Sequence, residues 1–82
     1  MYNLLVATPE RQIFEGEVSS LIAPGALGYL EILSHHAPII TLLKTGVVTI
    51  TNAAQEKITY NISGGILEVH QNRASLLPDT IV

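Results

Sequence analysis

Three histidines are the side chains of this sequence best suited to chemistry. His35 and His36 are adjacent and precede Pro38, and His70 stands apart near the end of the chain. Imidazole binds metals and transfers protons near neutral pH. In an extended segment, however, neighbouring side chains point to opposite faces, so His35 and His36 are not expected to share one ion. No cysteine and only one aspartate, Asp79, can complete a tetrahedral site. We therefore expect no metal centre.

Nucleophilic catalysis requires a hydroxyl, a histidine and a carboxylate that meet in space. The chain contains these types, but no nucleophile motif such as G-x-S-x-G surrounds a serine, and a domain this small seldom encloses a pocket. Gly64-Gly65 is not followed by a lysine, so we predict a hairpin turn there rather than a phosphate-binding loop. We expect no catalytic residue and no cofactor. The residues that supply a hydroxyl, an imidazole or a carboxylate without such a motif are Ser34, His36, Ser63 and Asp79.

Short alternating segments between turn residues must position these side chains. Ile58, Tyr60 and Ile62 share one face, with polar residues between them, and Leu67 and Val69 alternate with Glu68 and His70 in the same way. This pattern at regular spacing predicts an all-β sandwich or barrel. The segment 34–44 has mixed signals, and its β-branched residues favour a strand over a helix. Turns are predicted at Thr8-Pro9-Glu10, Glu15-Gly16, Ala23-Pro24-Gly25, Thr45-Gly46, Asn52-Ala53-Ala54, Gly64-Gly65, Gln71-Asn72 and Pro78-Asp79.

Composition limits the partners that the chain can have. Its 82 residues allow one domain. Hydrophobic residues make up 48% of the chain and charged residues only 13%, compared with about 25% charged residues in an ordinary soluble domain. The net charge of −3 and four scattered basic residues argue against nucleic acid. No apolar run is long enough to span a membrane, and the N-terminus does not resemble a secretory signal, so we expect an intracellular soluble chain. Either a surface rich in Thr, Ser, Asn and Gln or apolar surface hidden in an assembly explains the low charge.

Several motifs along the chain resemble the epsilon subunit of F-type ATP synthases. The segments Leu5–Glu10 and Ile13–Val18 are similar to that family's first strand, Thr-Pro-Glu turn and Phe-x-Gly-x-Val second strand. His36-Ala37-Pro38 resembles its Gly-His-Ala-Pro run, and Ser63–Val69 resembles its Ser-Gly-Gly-x-x-Glu-Val segment. The resemblance covers essentially residues 1–82, as a single domain.

The resemblance implies a ten-stranded β-sandwich of two five-stranded sheets. It also implies a non-catalytic subunit of the central stalk that joins the gamma subunit to the ring of c subunits, on the cytoplasmic side of a bacterial inner membrane. Members of the family typically continue into a C-terminal helical hairpin; we expect this hairpin to be absent here, and with it ATP binding and ATP-sensed inhibition. A free-standing small β-sandwich that binds a peptide or a small ligand is the alternative.

The chain departs from the family pattern at the tip expected to meet the c-ring. Tyr29 occupies the position of the family's usual glutamate, Glu31 that of the second glycine in Gly-Glu-Leu-Gly, and Ser34-His35 that of Pro-Gly. The resemblance therefore assigns Tyr29, Glu31 and His36 to the c-ring contact. Residues two apart in a strand project from the same face, so we expect Glu31 to replace the family's carboxylate. The alternative is that His35 and His36 are solvated turn residues.

Overall fold

A computed structural model describes all residues of the chain, 1–82, and contains six β-strands and no helix. The strands are β1 (Tyr2–Ala7), β2 (Gln12–Gly25), β3 (Gly28–Ile32), β4 (Ile39–Asn52), β5 (Lys57–His70) and β6 (Arg73–Pro78). With no helix present, there is none that is long and apolar enough to cross a lipid bilayer. The prediction of an all-β domain is confirmed.

The six strands form one sheet that closes on itself. Its order is β1-β6-β5-β4-β2-β3, and β1 also pairs with β2, so the ladder returns to its starting strand. All pairings are antiparallel except β1 with β6. Closure of the sheet around one core gives a sandwich-like domain in which few backbone edges stay open.

Alternation along the strands decides which side chains reach the core. Ile62, Leu67 and Val69 on β5 are buried, as their spacing predicts, whereas Glu68 and His70 between and beside them are exposed. The same period-two burial runs along β1 and β6. Together these side chains make a core cluster of 15 buried residues.

The predicted count of ten strands is not confirmed, because three of the six strands are 14 residues long and continue without a turn where shorter strands were expected. Of these, β2 also changes partners: its first half pairs with β1, and its second half pairs with β3 and β4. Glu15-Gly16 and Thr45-Gly46, predicted as turns, lie inside strands. Glycine within a strand often marks a bulge, a bend or a close approach of another part of the chain.

The prediction of a hairpin turn at Gly64-Gly65 is wrong. Both glycines lie inside β5, with φ of 82° and 129°, and β5 continues to pair with β4 on either side of them. These positive φ values bend the strand, a conformation that glycine adopts far more readily than other residues. The predicted turns at 52–54 and 71–72 are confirmed as the connections that follow β4 and β5.

Candidate functional site

Tyr29 lies near the start of β3, opposite Pro24 of β2, and its side chain is 56% exposed. Its hydroxyl accepts a hydrogen bond of 2.9 Å from the backbone N–H of Val47 on β4. The register of β2 against β4 shifts between Ile22 and Gly25, the stretch that contains Pro24. Because the ladder is interrupted there, the Tyr29 hydroxyl supplies an acceptor to a strand N–H.

Gly46 makes room for this arrangement. A Cβ atom at position 46 would lie 2.6 Å from the Tyr29 hydroxyl and 2.7 Å from Cβ of Pro24. These distances are far shorter than van der Waals contact, so the tyrosine occupies space that any side chain at position 46 would need. Tyr29 therefore serves the fold through its hydroxyl and leaves part of its ring open to a partner.

Glu31 lies two residues beyond Tyr29 on the same exposed face of β3, as its spacing predicts. Its carboxylate accepts a hydrogen bond of 2.8 Å from the hydroxyl of Ser20 on β2. Nearby, the buried Tyr2 hydroxyl donates to the carbonyl of Ile32 at 2.6 Å. Burial, and secondarily the negative charge of Glu31, raise the pKa of Tyr2 well above its ordinary value. Glu31 thus remains exposed while one hydrogen bond holds it in place.

His36 lies in the loop between β3 and β4, beyond the end of β3. The turn Leu33–His36 is closed by a bond of 3.2 Å from the His36 N–H to the Leu33 carbonyl. Nδ1 of His36 lies 2.7 Å from the Ala37 carbonyl. A carbonyl can only accept, so this contact requires the hydrogen to be on Nδ1. In the neutral ring Nε2 is then an acceptor for a polar partner, and on protonation it becomes a donor.

The structure brings together only two of the three predicted contact residues. Tyr29 and Glu31 share one strand face, whereas His36 occupies the following loop and has no hydrogen bond to either. No group of three or more histidine, aspartate or glutamate side chains is placed to hold a metal ion. The arrangement offers an exposed carboxylate, an aromatic ring and an imidazole, which suit polar contact with another protein.

Sequence reasoning missed an exposed row of apolar side chains across β4, β5 and β6. Leu42 lies opposite Ile66, and Ile66 lies opposite Leu77. Ile40 is on the same face of β4 as Leu42, and the four side chains are between 40% and 70% exposed. We call Ile40, Leu42, Ile66 and Leu77 the apolar stripe. The run Ile39–Leu43 carried a signal for it, because this strand is apolar on both faces.

Two open clefts border the apolar stripe. One, of about 410 Å³, is formed by residues that include Leu42, Ile66 and Leu77. The other, of about 330 Å³, is formed by residues that include Ile40 and Glu68. Monomeric proteins seldom expose contiguous apolar surface of this kind unless it binds something. The stripe is therefore a candidate protein-binding surface.

Comparison with known proteins agrees with these features. The family model described as "ATP synthase, Delta/Epsilon chain, beta-sandwich domain" matches residues 1–82. The ATP synthase epsilon chain of Protochlamydia amoebophila is 41% identical over 81 residues, which are 99% of this chain and 55% of the relative. That of Moorella thermoacetica is 44% identical over 78 residues, which are 95% of this chain and 58% of the relative. The chain thus spans little more than half the length of these relatives. The epsilon chain of Chlorobaculum tepidum is 38% identical over 80 residues, which are 98% of this chain and 91% of the relative.

Solved structures show the same fold in ATP synthases. A chain of the Euglena gracilis mitochondrial ATP synthase (OSCP/F1/c-ring) superposes with a TM-score of 0.89 at 21% identity, covering 96% of this chain and 51% of that one. A chain of the Tetrahymena thermophila mitochondrial enzyme (central stalk/c-ring) has a TM-score of 0.83 at 16% identity, covering 98% and 64%. At this identity the likeness concerns the fold. The match of the family model over the full 82 residues shows that the chain belongs to the β-sandwich domain family of the ATP synthase delta/epsilon chain.

Proposed function

We propose that this chain is a non-catalytic part of the central stalk of an F-type ATP synthase. In this role it joins the gamma subunit to the c-ring and helps to couple ion translocation to ATP synthesis, on the cytoplasmic side of a bacterial inner membrane. Family membership over residues 1–82 supports the proposal. The epsilon-chain names of its bacterial relatives and the stalk and c-ring assemblies that contain its fold support it further.

The observation that carries the proposal is the apolar stripe. Ile40 is 70% exposed and Leu42 is 63% exposed, in a chain with only 13% charged residues. Leu42, Ile66 and Leu77 are direct cross-strand neighbours, and such neighbours have Cβ atoms about 5 Å apart. They therefore form a continuous apolar surface rather than scattered residues. We assign this surface to the gamma subunit, the stalk partner that the family resemblance implies.

A charge placed in the apolar stripe tests this assignment. Ile66→Glu is expected to abolish co-purification with gamma, because the carboxylate would have to be desolvated in the interface. Thr59→Glu is the matched control, since Thr59 is an exposed residue of the same strand outside the stripe. Both variants must keep the thermal unfolding transition of the folded chain. If Ile66→Glu binds gamma as tightly as Thr59→Glu does, the assignment of the stripe is wrong. If the unchanged chain never associates with gamma, the stalk role itself fails.

For the c-ring we propose a contact made by Tyr29, Glu31 and His36. All three present part of their side chains to solvent, and Glu31 and Nε2 of His36 retain hydrogen-bonding capacity. The polar loops of a c-ring would meet the Glu31 carboxylate and the His36 imidazole, while the ring of Tyr29 would add apolar contact. Glu31 would then take the part of the carboxylate that the family places two residues earlier.

Disulfide mapping tests this contact. A cysteine at position 31 or 36, paired with one in the polar loop of the c subunit, is expected to cross-link in the assembled enzyme. Cysteines at Asn52, the last residue of β4, and at Gln55, in the connection that follows it, are the comparison sites. A cross-link requires Cα atoms within about 7 Å. Normal assembly without a cross-link from position 31 or position 36 would mean that these residues are only surface residues.

A further inference from the structure

Asn72 connects three separate segments of the chain through one side chain. Its Oδ1 accepts a hydrogen bond of 2.7 Å from the backbone N–H of His35, which is 37 residues away. Its Nδ2 donates a hydrogen bond of 3.1 Å to the carbonyl of Met1, next to the start of β1. The amide group thus ties the β3–β4 loop to the N-terminal segment. Met1 also contacts this loop through its amino group, which donates to the hydroxyl of Ser34 at 2.7 Å.

The loop needs such a restraint because its turn has an unfavourable residue at the critical position. In the turn Leu33–His36, only His35 has positive φ, at 62°. A turn with positive φ at its third residue is of type II and strongly favours glycine there. Histidine in the left-handed region is strained, and strained residues persist only where surrounding contacts hold them. The Asn72 amide supplies such a contact, directly to the strained residue.

Asn72 itself is held firmly in place. Gln71 and Asn72 form the two-residue connection between β5 and β6. The φ angle is 51° at Gln71 and 58° at Asn72. Positive φ at both positions is the type I′ hairpin, in which asparagine is favoured. The flanking residues His70 and Arg73 are paired in the ladder. The side chain of Asn72 therefore projects from a rigid hairpin toward a loop that has no ladder hydrogen bonds of its own.

We propose that Asn72 is a positioning residue for the c-ring contact: it fixes the turn Leu33–His36 and thereby the orientation of His36. This role rests on the proposed function, because the partner that His36 meets is the c-ring. A preformed loop binds more tightly than a mobile one, since less conformational freedom is lost on association. Asn72 need not touch the partner to have this effect.

The test compares Asn72→Gly with Gln71→Gly. Glycine suits positive φ at either position, so both variants keep the hairpin, but only Asn72→Gly removes the amide that binds His35. Amide hydrogen exchange of His35 is measured by NMR on the chain alone. It is expected to become about tenfold faster in Asn72→Gly, because the amide loses the protection of one hydrogen bond. In Gln71→Gly it is expected to stay unchanged. Equal exchange of the His35 amide in both variants would overturn the proposal.

Binding of the complex with gamma to purified c-ring is the second measurement. Asn72→Gly is expected to weaken it by about three- to tenfold, Gln71→Gly to leave it unchanged and His36→Ala to weaken it. If His36→Ala weakens binding but Asn72→Gly does not, the positioning role is wrong while the proposed contact stands. If neither variant changes binding, the contact at His36 fails and the positioning role fails with it. In that case the exchange measurement would still show whether Asn72 restrains the His35 amide. Failure of the positioning role alone can therefore be distinguished from failure of the proposed c-ring contact.

Discussion

Replacement of Leu67 by alanine is expected to remove a large share of the stability of this domain. Leu67 is fully buried in β5, between its ladder partners Thr41 on β4 and Leu76 on β6. Leu67→Ala deletes three buried carbon atoms, which at about 0.8 kcal/mol each lose about 2.4 kcal/mol of transfer free energy. The cavity left in a closed sheet adds about 1 kcal/mol. We therefore expect the free energy of unfolding to fall by about 3–4 kcal/mol.

This loss should be obvious in a thermal melt. A domain of 82 residues has a total stability of about 4–12 kcal/mol, at 0.05–0.15 kcal/mol per residue. For a domain of this size, each kcal/mol shifts the melting temperature by about 4–8 °C. The melting temperature of Leu67→Ala should accordingly drop by about 12–32 °C, as followed by circular dichroism or calorimetry.

Ile66→Ala is the matched control, because Ile66 is the preceding residue of the same strand but is 40% exposed on the opposite face. Its cost is expected to stay below about 1 kcal/mol, the range of exposed strand positions. If Leu67→Ala melts within two degrees of the unchanged chain, or if Ile66→Ala is equally damaging, the assignment of the inner face of β5 is wrong.

Three further perturbations follow from the fold. Gly65→Ala should cost about 2–5 kcal/mol in urea unfolding, because its Cβ would collide with the Leu77 carbonyl and lie 2.6 Å from Cα of Pro78, at a φ of 129°. Gly16→Ala, whose nearest contact would be an ordinary 3.6 Å, should cost much less; equal costs would contradict this account. Tyr29→Phe should cost about 0.5–1.5 kcal/mol and speed amide exchange at Val47 by loss of its acceptor, whereas unchanged exchange would mean that this bond is not formed in solution. The raised pKa of Tyr2 means that above its ordinary value of 10.0 the unfolded chain loses a proton that the folded chain keeps. Its contribution to stability is thus complete below pH 10 and should decline as the pH rises further, by up to about 1.4 kcal/mol per pH unit; a Tyr2→Phe chain with the same alkaline slope would refute this.

Local alternation in the sequence was enough to predict much of the core. Ile62, Leu67 and Val69 are buried because a strand turns every second side chain to the same face, a property that does not depend on which strands are neighbours. The same rule placed Tyr29 and Glu31 on one exposed face. Family motifs distributed from Leu5 to Val69 identified the fold family without any tertiary information.

The number of strands was beyond this kind of reasoning. Gly16, Gly46 and Gly64-Gly65 resembled turns, yet they lie within strands of 14 residues that continue past them. A glycine leaves both outcomes open, because its backbone is permissive in a turn and in a bent strand alike. Only the closure of the sheet decides between them.

For the candidate contact surfaces, too, the sequence predicted one part and only the tertiary structure decided the other. From the sequence alone came the residue types at the tip, Tyr29, Glu31 and His36, because each is read from its own position in a motif. Only the tertiary structure aligned Leu42, Ile66 and Leu77 into one row and set Asn72 against the N–H of His35. These neighbours come from different strands and turns. Their contacts therefore depend on strand register and sheet order, which are set by packing of the whole domain rather than by any local stretch of residues.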